Sequence, residues 1–152
     1  YDVGDVLSYN YPMADIVCAP FLLNYMRDEA TRMAFLSKVR AALMRNGKAL
    51  FVVDRPSNID LSKFGARKII HGTPIDGTPM TIQLYTHSGQ HICDLQSYFI
   101  DLQNLEKAFS DSGFSNVTKV KPVISKEGVE KYGKQYWSGY LNDTQLEYYV
   151  CS

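Results

Sequence analysis

The sequence predicts an α/β domain formed by the second half of a doubly wound sheet, with an inserted antiparallel hairpin. Two short apolar runs at residues 14–19 and 48–53 flank a segment with helical periodicity that begins at Asp28. Strand, helix and strand in this order indicate a crossover between two parallel strands. Two further strand-like runs, at 80–85 and 91–98, are joined by a turn that contains glycine, which is typical of a hairpin.

The first crossover has clear boundaries in the sequence. The strand at 14–19 ends at Pro20, which has no N–H group to donate to a neighbouring strand. Asp28 can cap the following helix, and we expect that helix to end at residues 46–47, Asn-Gly, because both residues tolerate the left-handed conformation of a C-terminal cap. The apolar stripe of this helix has spacings of three and four and consists of Met33, Leu36, Val39, Ala42 and Leu43. The run at 48–53 is apolar throughout, as in parallel strands covered on both faces.

The middle of the chain is rich in turn-forming residues. The stretch from 54 to 79 contains many Gly, Pro, Asp and Ser residues, so we expect an ordered surface loop before the hairpin. After the hairpin, Asp101 can cap a helix that runs through Ser110. Gly113 should close this helix, with Phe114 folded back against it.

The last forty residues predict two closing strands with a helix between them. The strands are expected at 117–123 and 146–151, and this pair could be antiparallel. Residues 125–132 have a helical pattern, whereas residues 135–140 are expected to form a turn with large aromatic side chains. With no internal repeat, we expect residues 1–152 to form one domain. The chain opens in a strand-like pattern without methionine, which favours a piece of a longer protein.

Composition excludes several classes of function. The chain has 16 basic residues (Lys and Arg) and 16 acidic residues (Asp and Glu), so its net charge is zero. It also has no run of basic residues that would favour binding to nucleic acid. The apolar stretch at 16–25 is too short to span a bilayer, and we expect a cytoplasmic protein. Cys18, Cys93 and Cys151 lie in strand-like runs, which favours buried, reduced thiols. The sequence has no CxxC pair that would indicate a metal site.

A family resemblance rests on motifs in order along the chain. The run at 14–25 resembles the fourth strand and following turn of class I S-adenosylmethionine (SAM) dependent methyltransferases, where D-[IL]-V-x-A leads into a short loop. Further motifs are the helix ending at Gly47, Ser-Gly-Phe at 112–114, and residues 123–128 followed by Tyr-Trp at 136–137. Together they make the chain similar to the small-molecule branch typified by toxoflavin-biosynthesis methyltransferases. The resemblance covers essentially the whole chain and implies a Rossmann-like SAM-methyltransferase fold.

The resemblance also has departures. Arg-Asn-Gly at 45–47 stands where the family usually has Pro-Gly-Gly. The glycine-rich loop that holds the amino-acid end of SAM, and the acidic residue that holds its ribose, do not occur in this sequence. We therefore expect the chain to be the C-terminal part of a methyltransferase domain, with SAM bound by the parent protein. The chain alone is expected to be inactive and not to bind SAM.

The resemblance assigns the cofactor-binding candidates. Asp5 and Val6 match the position that holds the adenine of SAM, although Gly-Asp is also common in ordinary turns. Ala19, Pro20 and Phe21 end a central strand, the place where open α/β sheets bind ligands, and are expected to contact SAM. For Phe21, a packed elbow between strand and helix is an equally good interpretation.

Substrate candidates follow that elbow. Asn24 and Tyr25 could orient an acceptor, and transfer from a sulfonium needs mainly alignment, so a base is not required. If a base acts, His87 or His91 in the hairpin is the candidate, although for His87 a solvated turn residue is the better interpretation. Among the aromatic residues, Tyr85 and Tyr140 are expected near the substrate.

Two function hypotheses follow. The first is SAM-dependent methyl transfer to a nitrogen or oxygen atom of a small molecule by the parent protein. The second is a non-catalytic Rossmann-like module that acts by self-association or as a scaffold. The apolar strand at 14–19 would be an unpaired sheet edge, which predicts a possible homodimer.

Overall fold

The computed structural model describes residues 2–57 and 59–152. In this part of the chain, a four-stranded sheet has the order β1-β2-β7-β6 and a three-stranded sheet has the order β3-β4-β5. The strands are β1 (Ala14–Pro20), β2 (Leu43–Asp54), β3 (Ala66–Ile70), β4 (Pro79–Tyr85), β5 (His91–Tyr98), β6 (Val117–Val120) and β7 (Leu146–Cys151). The helices are α1 (Glu29–Ala42), α2 (Leu102–Asp111), α3 (Lys126–Tyr132) and α4 (Lys134–Asn142), and short 3-10 helices occupy Leu22–Tyr25 and Ser62–Phe64.

The predicted crossover and closing strands are confirmed. β1 and β2 pair in parallel with α1 between them in the chain, and β7 pairs antiparallel with both β2 and β6. The core lies between this sheet and the helices α1 and α2. Phe51 on β2 packs against Phe109 of α2 at a ring-centre distance of 5.0 Å, and Tyr149 on β7 packs against Phe109 at 5.1 Å. From α1, Leu36 and Val39 are almost fully buried, as their spacing predicts.

The predicted end of α1 is wrong. The Asp28 cap is confirmed, since its carboxylate accepts from Thr31 N at 2.8 Å, but α1 ends at Ala42 and β2 begins at Leu43, which pairs with Ala14. Gly47 does not have the left-handed φ of a helix cap, which other glycines among the described residues do have. A Cβ there would lie 3.1 Å from the carbonyl oxygens of Ala14 and Asp15. Glycine is needed because two backbones pass closely at a register shift, a tertiary requirement.

Three other predicted elements differ from the structure. The loop predicted at 54–79 contains β3, a strand stabilised by its pairing with β4. The aromatic turn predicted at 135–140 is part of α4, where Trp137 stacks on Phe64 at 5.9 Å and donates to the Gly128 carbonyl at 2.9 Å. The strand-like opening is a turn instead, because the Asp5 carbonyl accepts from the N–H groups of Ser8 and Tyr9.

The remaining elements are as expected. The hairpin is formed by β4 and β5, and the Asp101 carboxylate accepts from Gln103 N and Asn104 N at the start of α2. Gly113 has a φ of 91° and Phe114 is 4% exposed, which confirms the predicted close of that helix. α3 forms as predicted, whereas β6 ends at Val120 instead of 123.

The three thiols are free, but they are not all buried. Cys151 is buried in the core and Cys93 is half-buried, whereas Cys18 is exposed because β1 lies at the edge of its sheet in the described chain. None of the helices in residues 2–57 and 59–152 is both long and apolar enough to cross a membrane. Within the same residues, no three His, Cys, Asp or Glu side chains come together as a metal site.

Candidate functional site

A largely apolar cavity of about 330 Å³ lies where the ends of β1 and β2 meet the antiparallel sheet. Phe21 directly follows β1, Asp54 is the last residue of β2, and Leu146 is the first residue of β7. The carboxyl ends of parallel strands are the usual ligand sites of open α/β sheets. The other lining residues are Tyr25, Leu61, Phe64, Ala66, Lys68, Ile82, Leu84, Leu95, Ser97, Tyr140, Thr144 and Gln145.

Alternation along the hairpin explains why these side chains reach the cavity. Ile82 and Leu84 of β4 are two positions apart, as are Leu95 and Ser97 of β5, so the side chains of each pair point to one face of the sheet. Ile82 and Leu95 are also direct cross-strand partners. The second sheet therefore supplies an apolar wall with one hydroxyl group in it.

A buried ion pair forms the polar part of the cavity. Asp54 Oδ1 and Lys68 Nζ are 2.6 Å apart, and their side chains are 2% and 5% exposed. Lys68 also donates to the backbone carbonyl of Gln145. Burial lowers the pKa of Lys68, and the neighbouring Asp54 carboxylate partly offsets this effect. Because the two opposite charges lie together, the cavity has little net charge.

Two buried oxygen atoms at the cavity have no hydrogen-bond partner. They are Asp54 Oδ2 and Ser97 Oγ, and among the described residues no other buried side-chain nitrogen or oxygen is in this state. An unpaired buried polar group costs roughly 1–3 kcal/mol, so such groups are uncommon in folded proteins. Both atoms belong to residues that line the same cavity.

Backbone strain is found at the same place. Phe21 has a φ of 62° and Gln145 a φ of 50°, and no other described non-glycine residue has a left-handed φ. This conformation costs roughly 1–2 kcal/mol for an L-residue and is concentrated at functional sites. Gln145 is held in place by its side-chain amide, which donates to Ser57 Oγ at 3.0 Å. Phe21 N donates to the Val52 carbonyl at 2.7 Å, which continues the pairing of β1.

Asn24 positions the cavity wall. The side chain is completely buried, its Nδ2 donates to the Tyr98 carbonyl at 3.2 Å, and its Oδ1 accepts from Asp54 N at 2.8 Å. Both ends of the amide therefore connect the end of β1 to the ends of β2 and β5. Asn24 is not among the residues that line the cavity, and its predicted contact with a substrate stays a prediction.

The sequence-predicted residues are partly brought together here. Phe21, Tyr25 and Tyr140 line the cavity, Ala19 is buried in the core, and Pro20 is exposed and paired with Val52. Sequence reasoning missed Asp54, Lys68, Ser97 and Gln145. Asp54 could have been found, because it directly follows the apolar run at 48–53 at the carboxyl end of a strand. Lys68 lies on a strand that the sequence did not predict.

Other predicted residues lie elsewhere. The Tyr85 hydroxyl donates to Gln83 Oε1 at 3.1 Å, and Tyr85 is not among the residues that line the cavity. His87 lines a separate groove, with its ring 5.4 Å from Tyr132. Asp5 is exposed and its carboxylate accepts from Leu7 N at 2.8 Å, while Val6 packs against the core.

Comparison with solved structures identifies the fold. A SAM-dependent methyltransferase from Clostridium acetobutylicum matches with a TM-score of 0.58 and 15% identity over 99% of this chain and 63% of its own. A second SAM-dependent methyltransferase, from Mesorhizobium loti, matches with a TM-score of 0.59 and 13% identity over 99% of this chain and 68% of its own. The chain has the Rossmann-like fold of SAM-dependent methyltransferases. The glycopeptide N-methyltransferase MtfA also has this methyltransferase fold, with a TM-score of 0.56 and 15% identity over 98% of this chain and 59% of MtfA.

No protein-family model and no curated protein sequence matches the chain. The chain spans only part of the length of the methyltransferases to which it is structurally similar: 63% of the one from Clostridium acetobutylicum, 59% of MtfA and 35% of a putative O-methyltransferase from Nostoc punctiforme. Within this fold, the cavity lies at the carboxyl ends of the parallel strands β1 and β2.

Proposed function

We propose that the protein containing this chain transfers a methyl group from SAM to a nitrogen or oxygen atom of a small molecule. The observation that carries the proposal is the cavity at the ends of β1 and β2, where unpaired polar atoms and strained backbone coincide in a methyltransferase fold. The acceptor would bind in this cavity, with the rings of Tyr25 and Tyr140 against it. The motifs at 14–25 and 112–114 support the small-molecule branch of the toxoflavin-biosynthesis type.

The end of β1 would face the cofactor. The exposed ring of Phe21 and the exposed carboxylate of Asp5 are both available to an adenosyl group. SAM supplies a methyl group activated on a sulfonium, and in-line transfer depends mainly on how the acceptor is held. We propose that Asp5, Val6, Ala19, Pro20 and Phe21 contact SAM, as the family resemblance implies.

Isothermal titration with S-adenosylhomocysteine, the product of SAM after transfer, tests this proposal. We expect the full protein that contains this chain to bind the product. We expect residues 1–152 alone to bind little or none, because the glycine-rich loop of the family is expected outside them. If the full protein does not bind the product, the methyltransferase proposal is wrong.

The alternative is a non-catalytic module that self-associates through β1. In the described chain, β1 is an edge strand, and its Ile16 side chain is 63% exposed beside the exposed Cys18. An apolar edge of this kind can pair with a second copy. We therefore propose a homodimer through β1 for residues 1–152.

Light scattering across a concentration series tests the dimer. The mass of residues 1–152 should rise towards twice the monomer value, and Ile16→Lys should stay monomeric because a charge blocks edge pairing. Val123→Lys is the matched control, since Val123 is 88% exposed and lies outside the strands. A monomer at every concentration would exclude the dimer.

A further inference from the structure

We propose that Asp54 Oδ2 recognises an N–H or O–H group of an uncharged, flat acceptor molecule and takes its proton during methyl transfer. The recognition step stands on the cavity alone, whereas the proton step rests on the methyltransferase function proposed above. The first support is the unpaired state of Asp54 Oδ2 at a side chain only 2% exposed. A buried carboxylate oxygen without a partner is a site for a donor.

The Asp54 carboxylate is held in a fixed orientation. The backbone N–H of Asp54 donates to Asn24 Oδ1 at 2.8 Å, and Asp54 pairs with Leu146 of β7. Within the carboxylate, Oδ1 accepts from Lys68 Nζ at 2.6 Å. These contacts leave little rotation to the side chain, and Asp54 is among the residues that line the cavity. A fixed acceptor of this kind binds a donor with less loss of conformational entropy.

Charge and lining select the class of ligand. Lys68 already neutralises Asp54, so a charged ligand would bring an unbalanced charge into a cavity walled mainly by side chains such as Phe64, Ile82 and Leu95. The unpaired hydroxyl of Ser97 gives a second polar contact, which can donate or accept. The complementary ligand is therefore an uncharged aromatic or heterocyclic molecule with at least one N–H or O–H group.

The chemical step balances with these groups. The acceptor nitrogen or oxygen attacks the methyl carbon, the new N–C or O–C bond forms, and the C–S bond breaks with its electron pair left on sulfur as a neutral thioether. The proton of the acceptor passes to Asp54 Oδ2. Lys68 remains an ammonium group, so the charge of the protein rises by one and that of the sulfonium falls by one.

Two probes of the same bicyclic shape test the recognition. 2-Naphthol has an O–H donor, whereas 2-methoxynaphthalene has none, and both are titrated into the full protein. A hydrogen bond to a charged group predicts that 2-naphthol binds about tenfold more tightly. In Asp54→Asn we expect the preference to fall to about twofold, the effect of a weak neutral hydrogen bond.

Fluorescence gives a readout that a purely structural role of Asp54 would not change. Excited 2-naphthol is a strong acid, and its emission moves to longer wavelength once a nearby base has taken the proton. We expect this shifted emission from 2-naphthol bound to the wild-type protein and only the neutral emission in Asp54→Asn. Ser97→Ala should keep the shifted emission, because the proton acceptor is still present.

Folding controls keep the test decisive. Asp54→Asn leaves Lys68 buried without its partner, so Asp54→Asn with Lys68→Gln removes both charges together and should give the same loss of preference. Ser112→Ala is a buried serine control away from the cavity and should leave the binding of both probes unchanged.

Equal binding of the two probes, no binding of 2-naphthol, or an unchanged preference in both Asp54 variants would overturn the proposal. The last result would also fit a buried water on Oδ2. Binding of S-adenosylhomocysteine is measured separately, so failure of the proposed function is recognised independently.

Discussion

At the cavity, individual residues depart from the rules that the rest of the chain obeys. Asp54 and Ser97 each leave a buried oxygen unpaired, and Phe21 and Gln145 adopt a backbone conformation that side chains disfavour. Each departure costs roughly 1–3 kcal/mol. Local strain persists only where the surrounding contacts fix it, and here the amide of Asn24 is one such contact. A bound donor on Asp54 Oδ2 would recover part of that free energy.

The buried thiol of Cys151 predicts a loss of stability in alkali. Burial raises the pKa of Cys151 from its ordinary value of 9.0 to about 12. Above pH 9 the unfolded thiol loses its proton first, so the stabilising contribution is complete below pH 9 and is lost as the pH rises towards 12. The unfolding free energy of the wild-type protein should therefore fall more steeply than that of Cys151→Ala, by up to about 1.4 kcal/mol per pH unit.

Urea unfolding at intervals of pH measures this difference. Below pH 9 the two stability curves should run parallel, which is the internal control. Tyr148 and Tyr149, whose pKa values burial also raises, are present in both proteins and their effects cancel. Equal slopes above pH 9 would show that the thiol is accessible to solvent.

At the scale of elements, the boundary between α1 and β2 shows how packing overrides local preference. Residues 43–47 have a helix-ending signal at Asn-Gly, yet Leu43 already pairs with Ala14 of β1. The sheet gains backbone hydrogen bonds in this way, and such pairing decides where a helix ends. Gly47 then serves the contact between two backbones instead of a helix cap.

The contact at Gly47 predicts a large effect of one methyl group. A Cβ at Gly47 would lie 3.1 Å from three backbone oxygen atoms, which cannot move without shifting β1 or β2. Gly47→Ala should therefore lower the unfolding free energy by about 1–3 kcal/mol, measured by urea unfolding. Gly139→Ala is the matched control: its Cβ would meet the flexible end of Lys63 at 3.6 Å, so helix propensity should raise stability by about 0.5–1 kcal/mol. Equal effects of both substitutions would contradict this account.

At the scale of the whole molecule, a few polar contacts join the two sheets. Arg32 of α1 is 1% exposed, donates to the Met26 carbonyl at 2.9 Å, and forms an ion pair with Asp76 in the loop before β4. The other oxygen of Asp76 accepts from Asp101 N at 3.0 Å, at the start of α2. One carboxylate therefore connects both helices of the first sheet to the loop that leads into the second.

Removal of the Arg32 guanidinium should destabilise the whole fold. Arg32 is buried but its partner Asp76 is 21% exposed, so loss of the charged hydrogen bond in Arg32→Leu should cost about 1.5–3 kcal/mol and shift the urea midpoint to lower concentration. Arg55→Leu is the control: Arg55 is 44% exposed and pairs with Asp143 and Glu147 at the surface, so its loss should cost at most about 1 kcal/mol. Similar effects of both substitutions would mean that Arg32 does not join the sheets.

The sequence by itself determined the parts of this protein that depend on periodicity and capping. Apolar runs and caps at Asp28 and Asp101 predicted the parallel crossover, the hairpin and α2. The end of β1 also directed attention to Phe21 and Tyr25, which both line the cavity, while their contact with a ligand stays a prediction. These signals act between residues that are close in the chain, so they can be read without the fold.

Only the tertiary structure decided how distant segments meet. The strand β3 exists through its pairing with β4, and Lys68 on that strand reaches Asp54 of β2 across fourteen positions of chain. The unpaired state of Asp54 Oδ2 and Ser97 Oγ depends on every neighbour around them. Such contacts are fixed by long-range packing and by the burial of charge, and no local pattern in the sequence encodes either of them.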